Sequence, residues 1–279
     1  MTMLEAIEAR ISTRSYDGAA LSDREAESLG SLLEKAAGSP CPFGNKVKLG
    51  LTLGTGDGKP AKMGTYGLIS GASAYAAAAV APAEGAFEDV GWALEEFVLE
   101  ATASGWATCW IGGIFSRGAA AAASGAAEGD LVPAVIALGR PAPRQSLADR
   151  IVGRAARART RKPLGEIAFS VEKSLPEAWL PVLEAVRAAP SASNKQPWRL
   201  VAAAAPVSWT LFLDEDRPYN HALGAVRIQN IDMGIAMRHF AFAAGQLGLP
   251  GTWGGAGASP KPALDFGAGR GWKPIACWS

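Results

Sequence analysis

The sequence contains two stretches with one pattern: DVGWALEEFVLEATASGWATCW at residues 89–110 and DMGIAMRHFAFAAGQLGLPGTW at residues 232–253. Each has the apolar periodicity of a helix of about five turns, followed by a glycine-containing exit and an apolar strand. Ala/Gly-rich helices can resemble one another by chance, but a gapless match favours an internal duplication. At a constant offset of 143 residues, the first stretch has Asp89, Gly91, Ala93, Gly105 and Trp110 where the second has Asp232, Gly234, Ala236, Gly248 and Trp253.

The elements around the two stretches repeat as well. Each stretch is preceded by a helix that ends at a proline and by a strand, and it is followed by another strand. Around the first stretch, the helix ends at residue 40 and the strands lie at 47–53 and 132–139. Around the second, the helix lies at 177–190 and the strands lie at 198–201 and 273–278. Helices and strands alternate without a regular βαβ rhythm, which predicts an α+β fold. We therefore predict two homologous halves, residues 1–165 and 166–279, with residues 142–160 as their connection. Because fused homologous halves can reproduce a twofold dimer, we expect a monomer that acts as a pseudo-dimer.

Composition and charge exclude several classes of protein. With 279 residues, 49% of them hydrophobic, the chain can bury a core. Lys and Arg number 27 against 26 Asp and Glu, so nothing in the net charge points to nucleic acid or a membrane surface. Three scattered cysteines and two histidines give neither a disulfide framework nor a metal-ligand spacing. The N-terminus lacks the apolar core of a signal peptide, and we expect a cytoplasmic protein.

The first motif with a recognisable chemistry is RISTR at residues 10–14, where the first predicted helix ends. Arg10 and Arg14 supply permanently charged donor groups, and Ser12 adds a hydroxyl donor of adjustable direction, which together suit a phosphate. Alternatively, the segment is a solvated helix end whose arginines cap the last carbonyls. The motif alone leaves both interpretations open.

The second motif is AAPSASNKQPW at residues 188–198, which links a predicted helix to a predicted strand. Its prolines restrict the loop, and its serines, asparagine and glutamine supply neutral donors and acceptors. Such groups suit a planar heterocycle with carbonyls and ring nitrogens, because they bind it without imposing full charge. A shorter match would be interpreted as ordinary turn residues.

Together, the Arg-x-Ser-x-Arg and Ala-Pro-Ser-x-x-Asn-x-Gln-Pro-Trp motifs resemble the signature of the FMN-dependent nitroreductase family. The resemblance spans nearly the whole chain, and residues 42–45 and 64–67 are most similar to a subgroup whose chains are duplicated. Typical members bind FMN at a dimer interface. The resemblance implies a phosphate-binding set of Arg10, Ser12, Arg14, Arg159 and Arg161, with Ile11 as a further cofactor-binding residue, and a set at the ring and ribityl edge of Gly112, Gly113, Pro190, Ser191, Ala192 and Asn194.

The sequence departs from the family pattern in a way that sets the expected stoichiometry. The second half has no Arg-x-Ser-x-Arg before Leu175, and the first half has SPCPFGN at residues 39–45 where the full loop motif would stand. One complete set of half-sites remains, so we predict one FMN per chain.

The function implied by the resemblance is electron transfer from NAD(P)H, through FMN, to a nitroaromatic, a quinone or a similar electron-poor acceptor. No catalytic side chain is expected, since the flavin carries the chemistry. Cys109 is expected to be an inert core residue, and His239 a packed or interface residue. Two alternatives remain open: a flavin-binding or sensory protein without sustained turnover, and a scaffold that has lost the flavin.

Overall fold

The computed structural model describes residues 1–54, 61–143, 160–172, 174–203 and 208–279, which form two compact units. Unit 1 consists of residues 1–41, 45–86 and the described part of 93–159. Unit 2 consists of residues 42–44, 87–92 and the described part of 160–279. Helices and antiparallel sheets are mixed in both units, which confirms the α+β prediction. Most of the predicted connection, including Arg159, lies outside the described residues.

In its described residues, unit 1 contains one sheet and four helices. The helices are α1 Met3–Ala9, α2 Asp23–Gly38, α3 Ala86–Ala103 and α4 Arg117–Ser124, and the strands are β1 Lys48–Leu53, β2 Ala74–Ala79, β3 Ala107–Ile111 and β4 Val135–Gly139. Their order is β1-β2-β4-β3, with every neighbouring pair antiparallel. Capping boxes begin both α1 and α2, because Thr2 and Ser22 each exchange hydrogen bonds with a glutamate three residues later. The predicted strand at 132–139 begins only at Val135, after Pro133, which has no N–H for the ladder.

Small side chains allow helix and sheet to approach closely in unit 1. Strand β2 has the sequence AYAAAA and is buried along its whole length. The alanine tract at 119–127, which the sequence suggests is a surface loop or weak helix, forms most of the helix α4, with Ala120 and Ser124 buried. A side chain at Gly50 of β1 would overlap the carbonyl oxygen of Ala123, so this glycine is required for the packing.

Unit 2 contains a five-stranded sheet around which five helices are arranged. The helices are α5 Leu164–Ile167, α6 Leu180–Ala188, α7 Arg217–Asn220, α8 Ile228–Gln246 and α9 Lys261–Ala268, and the strands are β5 Ala168–Ser170, β6 Trp198–Ala203, β7 Ser208–Leu213, β8 Trp253–Gly255 and β9 Lys273–Trp278. Their order is β5-β6-β7-β9-β8, in which β5 pairs parallel and all the others pair antiparallel. Without β5, this order and its pairings are those of the sheet in unit 1.

Helix α8 is buried around most of its circumference and meets the first turns of α3 at a close crossing within unit 2. A Cβ at Gly91 would overlap the carbonyl oxygen of Ile231, and a Cβ at Gly234 would overlap that of Glu88. Gly234 follows Gly91 by 143 residues, and Ile231 follows Glu88 by the same number. Each contact therefore pairs the residues that correspond to those of the other contact in the two repeated stretches. Reciprocal contacts of this kind are typical of a twofold interface.

Candidate functional site

The loop between α6 and β6 has an unusual backbone conformation. Ser193, Asn194 and Gln196 have φ values of +47°, +55° and +49°, and they are three of the four non-glycine residues with positive φ in the described ranges. Such conformations cost on the order of 1–3 kcal/mol each, less for asparagine, and persist only where surrounding contacts fix them. Strain of this kind concentrates at ligand-binding and catalytic sites, so the loop is the first candidate for function.

Hydrogen bonds inside the loop hold this conformation. Ser191 Oγ accepts from the backbone N–H of Gln196 at 2.9 Å, and the carbonyl of Ser191 accepts from the N–H of Asn194 at 2.9 Å. The buried Gln196 side chain accepts from the N–H of Lys162 at 2.8 Å. At the outer side, Tyr219 donates its hydroxyl proton to Ser193 Oγ at 2.8 Å.

Asn194 is tied to the segment that begins unit 2. Its Nδ2 donates to the carbonyl of Thr160 at 2.9 Å, and its Oδ1 accepts from Arg161 Nη1 at 3.3 Å. Arg161 also donates to the carbonyl of Ala188 at 3.1 Å. The structure therefore places Arg161, a residue of the predicted phosphate-binding set, beside Asn194 of the ring set. The Asn194 side chain shapes the loop through these bonds.

Positive charge is concentrated beside the loop. Besides Arg161, Lys162 donates from Nζ to the carbonyl of Gln196 at 3.3 Å, and Arg199 donates to the same carbonyl at 3.0 Å. Burial lowers the pKa of Lys162, and the neighbouring Arg199 lowers it further. Asp214 balances part of this charge through an ion pair of 2.6 Å with Arg199. This arrangement favours a ligand that carries or acquires negative charge.

Beneath the loop lies Asp232, on the first turns of α8. Its Oδ1 accepts from the N–H of Ala192 at 2.9 Å, and the residue is only 2% exposed. Its Oδ2 is buried and has no hydrogen-bond partner among the described residues. Burial raises the pKa of this carboxyl well above its usual range, with the Ala192 hydrogen bond acting in the opposite direction.

The sequence identifies Asp232 as a repeated position but assigns it no part in the site. Its counterpart Asp89 makes the corresponding bond, accepting from the N–H of Phe43 at 3.1 Å. The recurrence of a polar residue at the same offset in a buried helix is the signal from which this role could have been predicted.

In unit 1, the phosphate-binding motif runs beside strand β3. Arg10 is the C-cap of helix α1. Ser12 forms a parallel bridge with Thr108, whose carbonyl accepts from the N–H of Thr13 at 2.9 Å. Gly112 and Gly113 follow the end of the same strand. The structure thus places the phosphate-binding motif and the two glycines of the predicted ring set beside the same strand. Within the motif Ser12 and Arg14 are partly buried, and Ile11 is 55% exposed.

Arg10 is 7% exposed, and its Nε is buried without a hydrogen-bond partner in the part of the chain that the structure describes. Burial lowers the pKa of Arg10, while the charges of Glu95 and Cys109 raise it. Glu95 is itself fully buried and accepts from Trp110 Nε1 at 2.6 Å. Glu95 therefore offsets part of the charge on Arg10, and the orphaned Nε retains capacity for an anion.

Cys109 and His239 are both packed in the core of the structure, as expected. Cys109 is buried in β3, and His239 is buried in α8 with its Nδ1 2.9 Å from the carbonyl oxygen of Ala185. The described helices include none that combines the length and apolar character needed to cross a membrane. Within the same described ranges, no cluster of histidine, cysteine, aspartate and glutamate is suited to a metal ion.

The architecture defines the class of protein as one with the nitroreductase fold. A crystal structure described as a "putative nitroreductase" from Thermotoga maritima superposes with a TM-score of 0.61 at 19% identity, covering 100% of this chain and 93% of that one. The family model described as "Putative TM nitroreductase" matches residues 2–244. The chain therefore belongs to this nitroreductase family, which confirms the resemblance found in the sequence.

Other solved structures match part of the chain. A nitroreductase with bound FMN from Bacteroides fragilis is 23% identical, with a TM-score of 0.41, and covers 52% of this chain and 91% of its own. A "putative nitroreductase in complex with fmn" from Desulfovibrio desulfuricans is 22% identical, with a TM-score of 0.41. The match covers 62% of this chain and 96% of that one. No curated protein matches this sequence closely.

Proposed function

We propose that this protein is an FMN-dependent oxidoreductase that transfers electrons from NAD(P)H to a nitroaromatic, a quinone or a similar electron-poor acceptor. The observation that carries the proposal is the strained loop at residues 190–196, which has neutral donors and neighbouring cations in a chain of the nitroreductase family. The loop also carries the Pro-Ser-x-x-Asn motif of FMN-dependent nitroreductases, and the RISTR segment carries their phosphate motif.

The donor groups of the two motifs suit the chemistry of FMN. A phosphate dianion requires permanently charged donors, and Arg10 and Arg14 supply them; the orphaned Nε of Arg10 would gain the partner that it lacks. The isoalloxazine ring requires neutral donors and close backbone, which Ser191, Gly112 and Gly113 supply. Pro190, Ala192 and Ile11 would contribute backbone and apolar contacts. Arg159 remains a sequence-based candidate for the phosphate.

The residues of the chain bind, orient and electrostatically stabilise the cofactor. When bound, FMN supplies the hydride-accepting and electron-donating chemistry. Ser191 would donate its hydroxyl proton to a ring acceptor, since its oxygen already accepts from Gln196. The cations Arg161 and Lys162 favour negative charge on the bound ligand. No side chain of the chain is required as a general acid or base.

We further propose that the halves 1–165 and 166–279 arose by duplication and that the monomer acts as a pseudo-dimer in the cytoplasm. Four observations support the duplication: the gapless identities between residues 89–110 and 232–253, the shared strand order, the reciprocal glycine contacts and the equivalent bonds of Asp89 and Asp232. The arginine motif occurs only in the first half and the Pro-Ser-x-x-Asn loop only in the second. One FMN per chain follows from this asymmetry.

Steady-state oxidation of NAD(P)H by the purified protein tests the enzymatic proposal. We expect flavin absorbance in the protein, or in the protein after FMN is added, and sustained NAD(P)H oxidation when a quinone or nitroaromatic is present. A protein that binds FMN but shows no sustained turnover is the flavin-binding or sensory alternative. A colourless protein that refuses added FMN would contradict both.

A further inference from the structure

The peptide between Ser191 and Ala192 is fixed to α8 by a single buried side chain. Asp232 accepts the hydrogen bond of the Ala192 N–H at 2.9 Å, at the residue where the turn Ala192–Asn194 begins. We propose that Asp232 is a positioning residue for the flavin: its carboxyl anchors the loop backbone to α8 and thereby sets Ser191 and Asn194. This inference rests on the proposed function and deepens it.

The anchor is strong because it lies away from water. Asp232 is 2% exposed, and a buried N–H left without an acceptor costs about 1–3 kcal/mol. Ser193 and Asn194, which follow directly, are in the left-handed region, where they persist only if neighbouring contacts fix them. Loss of the Asp232 acceptor would therefore release the loop at the point where its strain begins.

The cost of burying this carboxyl supports a role for it. A buried polar atom without a partner is unfavourable, and Oδ2 of Asp232 is such an atom. The hydrogen bond from the Ala192 N–H to Oδ1 offsets part of the cost of burying the carboxyl group. Asparagine keeps the acceptor and the shape of this side chain without a carboxyl group, so it can replace Asp232 in the anchor.

Asp89 provides a matched control within the same chain. It occupies the equivalent position at the helix crossing, is fully buried, and accepts from the N–H of Phe43 at 3.1 Å. The loop that it holds has Pro42 at the position that corresponds to Ser191, so it lacks the serine of the Ser-x-x-Asn motif. Loss of Asp89 should thus remove a similar buried bond without affecting the proposed flavin loop.

The test is titration of the apoprotein with FMN and with riboflavin, in parallel with thermal unfolding. We expect Asp232→Ala to weaken both ligands by the same factor, roughly 5- to 150-fold for a loss of about 1–3 kcal/mol, because the ring end and not the phosphate is affected. Asp232→Asn should stay within about threefold of wild type for both ligands, and so should Asp89→Ala.

A variant on the loop side covers the case in which Asp232→Ala does not fold. Ala192→Pro removes the same N–H; proline is tolerated at the start of a helical turn, and Ser191 already has the extended backbone that a residue before proline requires. It should weaken both ligands as Asp232→Ala does.

The outcomes that would contradict the role of Asp232 differ from those that would contradict the proposed function. If the wild type binds both ligands while Asp232→Ala and Ala192→Pro bind them equally well, the inference is overturned alone. Equal losses in Asp89→Ala and Asp232→Ala, or a large loss in Asp232→Asn, also overturn it. A wild-type apoprotein that binds neither ligand overturns the proposed function and this inference with it.

Discussion

Alanine at Gly234 or Gly91 is expected to lower the free energy of unfolding by about 3 kcal/mol or more, or to abolish folding. The added Cβ at either position would overlap a backbone carbonyl of the facing helix, that of Glu88 or of Ile231. A backbone carbonyl cannot rotate away as a flexible side chain can, so α3 and α8 would have to separate. Chemical denaturation followed by circular dichroism measures the loss.

Gly245→Ala is the matched control in the same helix. No atom lies within 4 Å of a Cβ at Gly245, and its φ is not positive, so alanine should stabilise the protein by about 0.5–1 kcal/mol through its higher helix propensity. If Gly234→Ala were as stable as wild type, the close crossing of α3 and α8 would be wrong.

The second large effect concerns the phosphate of FMN. Arg14→Ala and Arg10→Ala are each expected to weaken FMN by about 1.5–3 kcal/mol, roughly 10- to 150-fold, and to leave riboflavin nearly unchanged. A charge-assisted hydrogen bond to the phosphate is lost only in the ligand that has one. Parallel titrations of the two apoproteins with FMN and riboflavin measure the difference.

Arg14 is the less buried of the two positions. Arg10 is buried near Glu95, so its removal also leaves a buried carboxylate with less compensation and should lower stability. Arg24, exposed on α2, is the control, and Arg24→Ala should affect neither ligand. Equal losses of FMN and riboflavin in Arg14→Ala would place Arg14 away from the phosphate.

Apolar periodicity was sufficient to predict most of the elements that build the fold. The predicted strand at 273–278 is β9 to the residue, and the helix predicted in the second repeated stretch is α8, which begins at Ile228. The alanine tract was less predictable, because its helix depends on packing against Gly50, far away in the sequence. Helix propensity alone did not distinguish α4 from a surface loop.

The candidate site was predictable as two motifs but not as a set of contacts. The motif indicated that Asn194 lines a ligand, whereas the structure shows its side chain bonded to Thr160 and Arg161. Its contact with FMN stays a prediction. The burial of Arg10 near Glu95, and the anchor from Asp232 to Ala192, join residues that are distant in sequence. Such pairings depend on tertiary packing, which local spacing does not encode.

Titration of the apoprotein with FMN, followed by flavin fluorescence and absorbance, tests the central claim most directly. Only the first half carries the arginine-serine motif, and only the second carries the Pro-Ser-x-x-Asn loop. A phosphate dianion without paired guanidinium groups would be desolvated with little compensation, so the second possible site should stay empty. We predict saturation at one FMN per 279-residue chain. Two equivalent tight sites per chain, or no binding at all, would contradict the account.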